Sequence, residues 1–197
     1  MSSNFLKVGI TGGIGSGKSF IASILEKMNF PVFYSDAAAK EIITQNQDVK
    51  KQIISLLGQD AYVGNVYNTK YVSEKVFANE YLLTSLNGIV HPAVREHFEN
   101  WAIAKSEYSD IVFNEAAIMI ESGSYQHMND LILVSAPLDV RLKRVINRDQ
   151  ITKDHALARL NAQSSDEFKR KFAKYEVIND GRALLPQLLK IIDSIRL

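Results

Sequence analysis

Gly12-Gly13-Ile14-Gly15-Ser16-Gly17-Lys18-Ser19 satisfies the pattern G-x-x-x-x-G-K-[ST] at every fixed position. It follows the apolar run Leu6 to Ile10 and leads into a helix-like stretch from Phe20 to Met28, so strand, loop and helix stand in the order the pattern requires. Glycines let such a loop fold back with successive backbone N–H groups aimed at phosphate oxygens and no Cβ in the way. The following helix adds unpaired donors and the positive end of its dipole. Lys18 would lie across the β and γ phosphates, and the Ser19 hydroxyl would coordinate Mg2+. A glycine-rich turn with no ligand would have no use for Lys18, because the positive end of a helix disfavours a cation unless an anion is bound. Gly12 to Ser19 is therefore read as a site for a nucleoside triphosphate.

Outward from the loop, short runs rich in Val, Ile, Phe and Tyr recur between longer helical stretches: Leu6 to Ile10, Pro31 to Tyr34, Asp110 to Asn114, Leu131 to Ser135 and Tyr175 to Ile178. Each has the length of a strand and is too short for an independent helix. Strands joined by helical connections imply right-handed βαβ units, a parallel sheet and helices on both faces. Ligands of such sheets gather beyond the carboxyl ends of the strands, where the loop would lie. Between the second and third strands the chain is mostly helical, including Ala37 to Leu57 and Val72 to Ser106, which is more than one crossover requires. Within it, His91-Pro92-Ala93-Val94-Arg95 reads as a helix start with proline in the first turn. A second excursion, Pro137 to Lys174, is rich in Arg and Lys and suits a segment that folds over polyphosphate.

Composition narrows the partners. A chain of 197 residues with 46% hydrophobic content builds one full core with inserted elements. Lys and Arg number 23 against 22 Asp and Glu, so no broad basic surface for nucleic acid is expected and the partners should be small molecules. No run approaches a membrane span, and the first strand begins too early for a signal peptide. The absence of cysteine removes disulfides and thiolate sites and is compatible with a reducing interior. A cytoplasmic protein, a monomer or small homo-oligomer, is expected.

Asp36 follows the second strand, where a carboxylate would face the loop and accept a proton from an attacking hydroxyl; capping a helix that begins at Ala37 is the competing reading. Glu115 follows the third strand, where a magnesium-binding carboxylate often stands, and Glu121 is a further acidic candidate against a plain helix-terminal role. Arg141, Arg144 and Arg148 share one side of a helix. A solvated basic face is the plain account of them, with Arg148 at the helix end best placed to deliver its planar donors to phosphate. His91, His97, His127 and His155 show no metal-binding spacing. Asn179-Asp180-Gly181 is a turn signal, and Asn179 is also allowed a contact with a nucleotide base.

Taken together, these segments resemble the dephospho-coenzyme A kinases over nearly the whole chain. Thr11 to Ser19 reproduces the family's T-G-G-I-G-S-G-K-S, Asp36 its aspartate after the second strand, and His91 to Arg95 its H-P-x-V-R. Ala117 to Gly123 matches P-L-L-F-E-S-G imperfectly. Arg144 to Asp149 matches R-x3-R-D, Arg159 and Gln163 match R-x3-Q, and Tyr175 through Gly181 matches the last strand and its N-x-G. The resemblance implies a three-layer α/β P-loop kinase fold whose five-stranded parallel sheet forms a core (1–36, 109–136 and 173–197), with a helical acceptor-binding region (37–108) and a lid (137–172). It implies phosphorylation of the ribose 3′-hydroxyl of dephospho-CoA by ATP with Mg2+. It makes Asp36 the candidate base, His91, Arg95 and Glu121 acceptor-side candidates, and Arg148 the lid arginine. Three positions depart from the pattern: Tyr34 replaces the first aspartate of D-A-D, Ala117 the proline of P-L-L-F-E, and Lys174 the aspartate of A-D.

Other readings compete. A kinase of a nucleoside or nucleotide would share the architecture. A GTPase switch would need N-K-x-D, or D-x-x-G after the third strand, and neither is present.

Overall fold

The computed structural model describes residues 5–197. In chain order the elements are β1 (Leu6–Thr11), α1 (Lys18–Lys27), β2 (Val32–Tyr34), α2 (Ser35–Gln45), α3 (Gln47–Leu57), β3 (Tyr62–Val63), β4 (Val66–Tyr67), α4 (Thr69–Phe77) and α5 (Glu80–Lys105). They continue with β5 (Ile111–Glu115), β6 (Asp130–Ser135), α6 (Leu138–Asp149), α7 (Lys153–Asn161), α8 (Asp166–Arg170), β7 (Tyr175–Ile178) and α9 (Leu184–Ile195). The chain forms two compact units: the first comprises the chain up to Tyr34 with Ala102–Leu197, the second Ser35–Trp101. The joints fall a little before the expected ones at 36 and 108. α5 runs unbroken across the second joint, so no turn signal marks it.

The first unit is built on a five-stranded sheet in the order β2-β5-β1-β6-β7, with every pairing parallel. The expected strands are all present, each to within a residue. Side chains alternate across the pleat. Val8, Ile10, Ile111, Phe113, Ile132, Val134 and Val177 point to one face and pack with Ile21 and Leu25 of α1 and Leu188, Ile191, Ile192 and Ile195 of α9. Leu131 points to the other face and joins Ala116, Met119 and Ile120, with Tyr125, Met128 and Phe172 alongside. The chain leaves β1 toward β2 on one side and leaves β6 toward β7 on the other. A crevice therefore opens beyond the carboxyl ends of β1 and β6, where ligands of such sheets collect.

In the second unit, Ile42, Val49, Ile53, Leu57, Val72, Val76, Leu86 and Val90 form a separate helical core. Asn46 caps α3, its side chain accepting from the N–H groups of Asp48 and Val49 at 3.0 and 3.1 Å. Two features depart from the sequence reading. Residues 62–67 form a small antiparallel hairpin, Tyr62 opposite Tyr67 and Val63 opposite Val66, turning at Gly64-Asn65. Pro92 lies inside α5 instead of at its start. An interior proline removes the bond to the carbonyl four residues back and crowds it. That residue is Gly88, where an added Cβ would meet nothing within 4 Å.

Candidate active site

Thr11 ends β1 at the crevice, and the chain from Gly12 to Gly17 wraps into the start of α1. Gly17 at the N-cap has φ 98° and Gly15 has φ 78°, a region that side-chain-bearing residues avoid. No side chain caps α1. Its first amides are thus left to an anion.

The loop's carbonyl oxygens are held from outside. Ile14 O accepts from Arg141 Nε at 3.0 Å, and Gly15 O and Ser16 O each accept from Arg144 Nη1 at 3.2 Å. Ser16 O also accepts from Asn179 Nδ2 at 2.8 Å. In a trans peptide the N–H points opposite to the carbonyl of the preceding residue. Anchoring Ile14 O and Ser16 O outward therefore turns the N–H groups of Gly15 and Gly17 inward. Lys18 is 8% exposed, and its Nζ lies 3.4 Å from Gly13 O at the inner side of the loop. Thr11 Oγ1 and Ser16 Oγ are buried without a hydrogen-bond partner. Such orphaned hydroxyls carry a desolvation penalty until a polar ligand reaches them.

Arg141 and Arg144 are thus not a solvated face. Arg141 is largely covered, its Nη1 3.3 Å from Asp166 Oδ2 with side-chain exposures of 11% and 15%. Sequence reading singled out Arg148, yet Arg148 is largely exposed and grips Asp149 through Nε at 2.7 Å and Nη2 at 3.1 Å. Asp149 also takes Arg159 Nη1 at 2.8 Å. The sequence allows Asn179 a contact with a base. In the structure both ends of its amide are engaged: Nδ2 with Ser16 O, and Oδ1 as acceptor from Arg144 Nη2 at 3.2 Å.

Glu121 pairs with Lys169 Nζ at 3.1 Å and accepts from Ser164 N–H at 3.2 Å. Burial alone would raise its pKa. Its hydrogen bonds to backbone N–H and to Lys169, with the ammonium charge beside it, bring it below the ordinary value. Lys169 has no exposed surface and also reaches Ala117 O at 3.5 Å. Glu121 is therefore no plain surface carboxylate.

In the second unit Asp36 lies in the first turn of α2, which begins at Ser35, so it does not cap a helix starting at Ala37. It is exposed and two residues beyond the carboxyl end of β2. His91 and Arg95 stand four apart on α5 and hence on one face of it. Burial lowers the pKa of His91.

Two of the three departures from the family pattern, Tyr34 and Lys174, acquire local explanations. Tyr34 donates to Glu26 Oε2 at 2.9 Å; burial first, then that bond and the charges of Glu26 and Glu115, push its phenol up to about 12. A neutral phenol thus takes the position paired in register with Glu115 at the ends of β2 and β5. Lys174 meets Asp130 Oδ1 at 3.0 Å, so the reversed charge has its own partner.

Among the described residues no group of three or more His, Cys, Asp or Glu is arranged to hold a metal. The Ser19 hydroxyl is exposed in the first turn of α1. That donor set fits an ion that keeps waters and is bound largely by a substrate's phosphates, as Mg2+ is. Among the same residues no helix is long and apolar enough to cross a membrane.

A family model described as dephospho-CoA kinase matches residues 6–184. The dephospho-CoA kinase of Bacteroides fragilis is 38% identical over 188 residues, covering 95% of this chain and 91% of its own. A crystal structure of the Thermus thermophilus protein TT1252 superposes with a TM-score of 0.85 at 31% identity, covering 97% of both chains. A dephospho-CoA kinase structure from Campylobacter jejuni gives 0.69 at 26% identity and 96% of both.

Proposed function

The chain belongs to the dephospho-CoA kinase family, and we propose that its reaction is transfer of the γ-phosphoryl group of ATP to the ribose 3′-hydroxyl of dephospho-CoA, the last step of coenzyme A biosynthesis. The observation that carries this reading is the phosphate loop whose carbonyls are anchored outward and whose Gly15 and Gly17 N–H groups face inward. The helical region would bind the acceptor, and the segment from 137 to 172 would act as a lid. Partners are small molecules, and cytoplasm is the proposed location.

The loop amides from Gly13 to Lys18 hold the triphosphate of ATP in line, and Lys18 offsets charge on the transferring group. The Ser19 hydroxyl would hold Mg2+, which when bound would neutralise part of the charge on the phosphate oxygens. Asp36 orients the 3′-hydroxyl and takes its proton as the oxygen bonds to the γ phosphorus. The bond from that phosphorus to the β–γ bridging oxygen breaks, and ADP leaves with the electron pair. Arg148 exchanges Asp149 for phosphate when the lid closes, which also keeps water from the γ phosphorus. His91, Arg95 and Glu121 serve the acceptor side. Asn179 serves the nucleotide through the loop that it holds.

Mass spectrometry on a panel of acceptors with Mg2+-ATP tests the reading. Dephospho-CoA is expected to gain one phosphoryl group, and Asp36→Asn should lower kcat by about a hundredfold or more. Phosphorylation of a nucleoside with dephospho-CoA left untouched would overturn the acceptor. Normal turnover of Asp36→Asn would remove Asp36 as base.

A further inference from the structure

Arg141 lies against the phosphate loop with both its backbone and its side chain. Its Nε donates to Ile14 O at 3.0 Å and its Nη1 to Asp166 Oδ2 at 3.3 Å. The guanidinium rests on Gly13, where an added Cβ would collide with Nη2 and Cζ. The backbone of Arg141 is close to Gly15, whose added Cβ would lie 2.7 Å from the Arg141 carbonyl oxygen. Two glycines of the loop thus admit one arginine, and Asp166, in the first turn of α8, holds it from the other side.

Exposures of 11% and 15% place both charges mostly out of water, and Asp166 Oδ1 is buried without a hydrogen-bond partner. Taking two charges out of water often costs more than their attraction returns, so stability alone does not account for the pair. Direction does. A guanidinium is planar and rigid, so a carboxylate that holds one of its nitrogens restricts where the others point. With Nη1 on Asp166, Nε is aimed at Ile14 O. That carbonyl in turn decides which way the Gly15 N–H faces, because the two belong to one trans peptide.

We propose that Asp166 is a positioning residue for the nucleotide: it fixes the Arg141 guanidinium on Ile14 O and through it keeps the Gly15 N–H turned toward phosphate. The inference rests on the loop binding ATP. Asp166 itself touches neither nucleotide nor acceptor, so its whole effect passes through Arg141 and falls on the nucleotide.

Calorimetry of Mg2+-ATP binding to the wild type, Asp166→Asn, Arg141→Met and the double variant tests this, with KM values for both substrates and thermal melting to confirm folding. Exchanging a charge-assisted bond for a neutral one should weaken ATP about fivefold in Asp166→Asn and raise its KM by the same factor, with the KM for dephospho-CoA within about twofold of the wild type. In the Arg141→Met background, adding Asp166→Asn should change ATP affinity by less than about twofold, because the group through which Asp166 acts is gone. An equal loss in both backgrounds would mean that Asp166 acts without Arg141 and would overturn the proposal. So would unchanged affinity in Asp166→Asn, an equal rise in both KM values, or tighter ATP binding, which would mean that a released Arg141 grips phosphate itself. If Arg141→Met fails to fold around its stranded carboxylate, the split between the two KM values in Asp166→Asn decides alone. A folded wild type that binds no Mg2+-ATP would instead sink the kinase reading on which the inference stands.

Discussion

Arg144 reaches the carbonyls of Gly15 and Ser16 with one guanidinium nitrogen and Asn179 with the other. Each of these is a charge-assisted bond, worth about 1.5–3 kcal/mol when its partner would otherwise be left buried. Arg144→Ala should therefore weaken ATP binding by about tenfold or more, because the loop amides lose their fixed direction before any contact to phosphate is lost. Arg144→Lys should recover only part of it, since one ammonium cannot reproduce a planar fork. Titration calorimetry reads both, and unchanged affinity in Arg144→Ala would show that the loop holds its shape unaided. Lys18 and Ser19 were legible because their meaning is local: a fixed spacing between glycines and a helix start. Arg144 was not, since the atoms it holds lie 129 positions away in sequence and its helical spacing is shared with any solvated face. The same holds for Lys169, whose burial against Glu121 nothing in its basic surroundings reveals.

α5 shows how an element misleads. A proline following histidine matches a first turn, and the residues before it, Glu80 to Val90, read equally well as a separate helix. The core decided otherwise: Leu86 and Val90 before the proline and Ala93 and Val94 after it all pack in one cluster. An interior proline costs roughly 3 kcal/mol against alanine where the helix is otherwise regular. Pro92→Ala should accordingly raise the urea midpoint, by the equivalent of about 1 kcal/mol or more. A lowered midpoint would mean that the packing of α5 depends on the bend. The hairpin at 62–67 was missed for the opposite reason. Its Gly-Asn turn between Tyr-Val and Val-Tyr is a genuine hairpin signal, but the strands are so short that the helical sequence around them dominates.

At the scale of the whole molecule, parallel strands were readable from short apolar runs, because both faces of such a sheet are covered. Their order was not: insertion of β5 between β2 and β1 is decided by contacts remote in sequence. Stability should depend on pH at both ends of the range. His91, lowered from 6.5 by burial, favours the neutral form, so its contribution is complete above that value and is lost as pH falls through the depressed one. Glu121 acts in the same direction below 4.5. Tyr34 and Tyr62, each pushed up to about 12 with burial the largest cause, contribute fully below 10 and lose that contribution as pH rises toward 12. Urea midpoints measured across pH should form a plateau that falls on both sides, and His91→Gln should flatten the shoulder just below 6.5. An unchanged shoulder would assign it to another group. The pairing of Leu6 with Ile111 carries a kinetic consequence. The central strand precedes the helical insert and cannot find this neighbour until the whole insert has been synthesised. This high contact order makes folding slow and leaves an apolar ribbon exposed to aggregation in the nascent chain, unless early collapse of the insert shortens the effective loop.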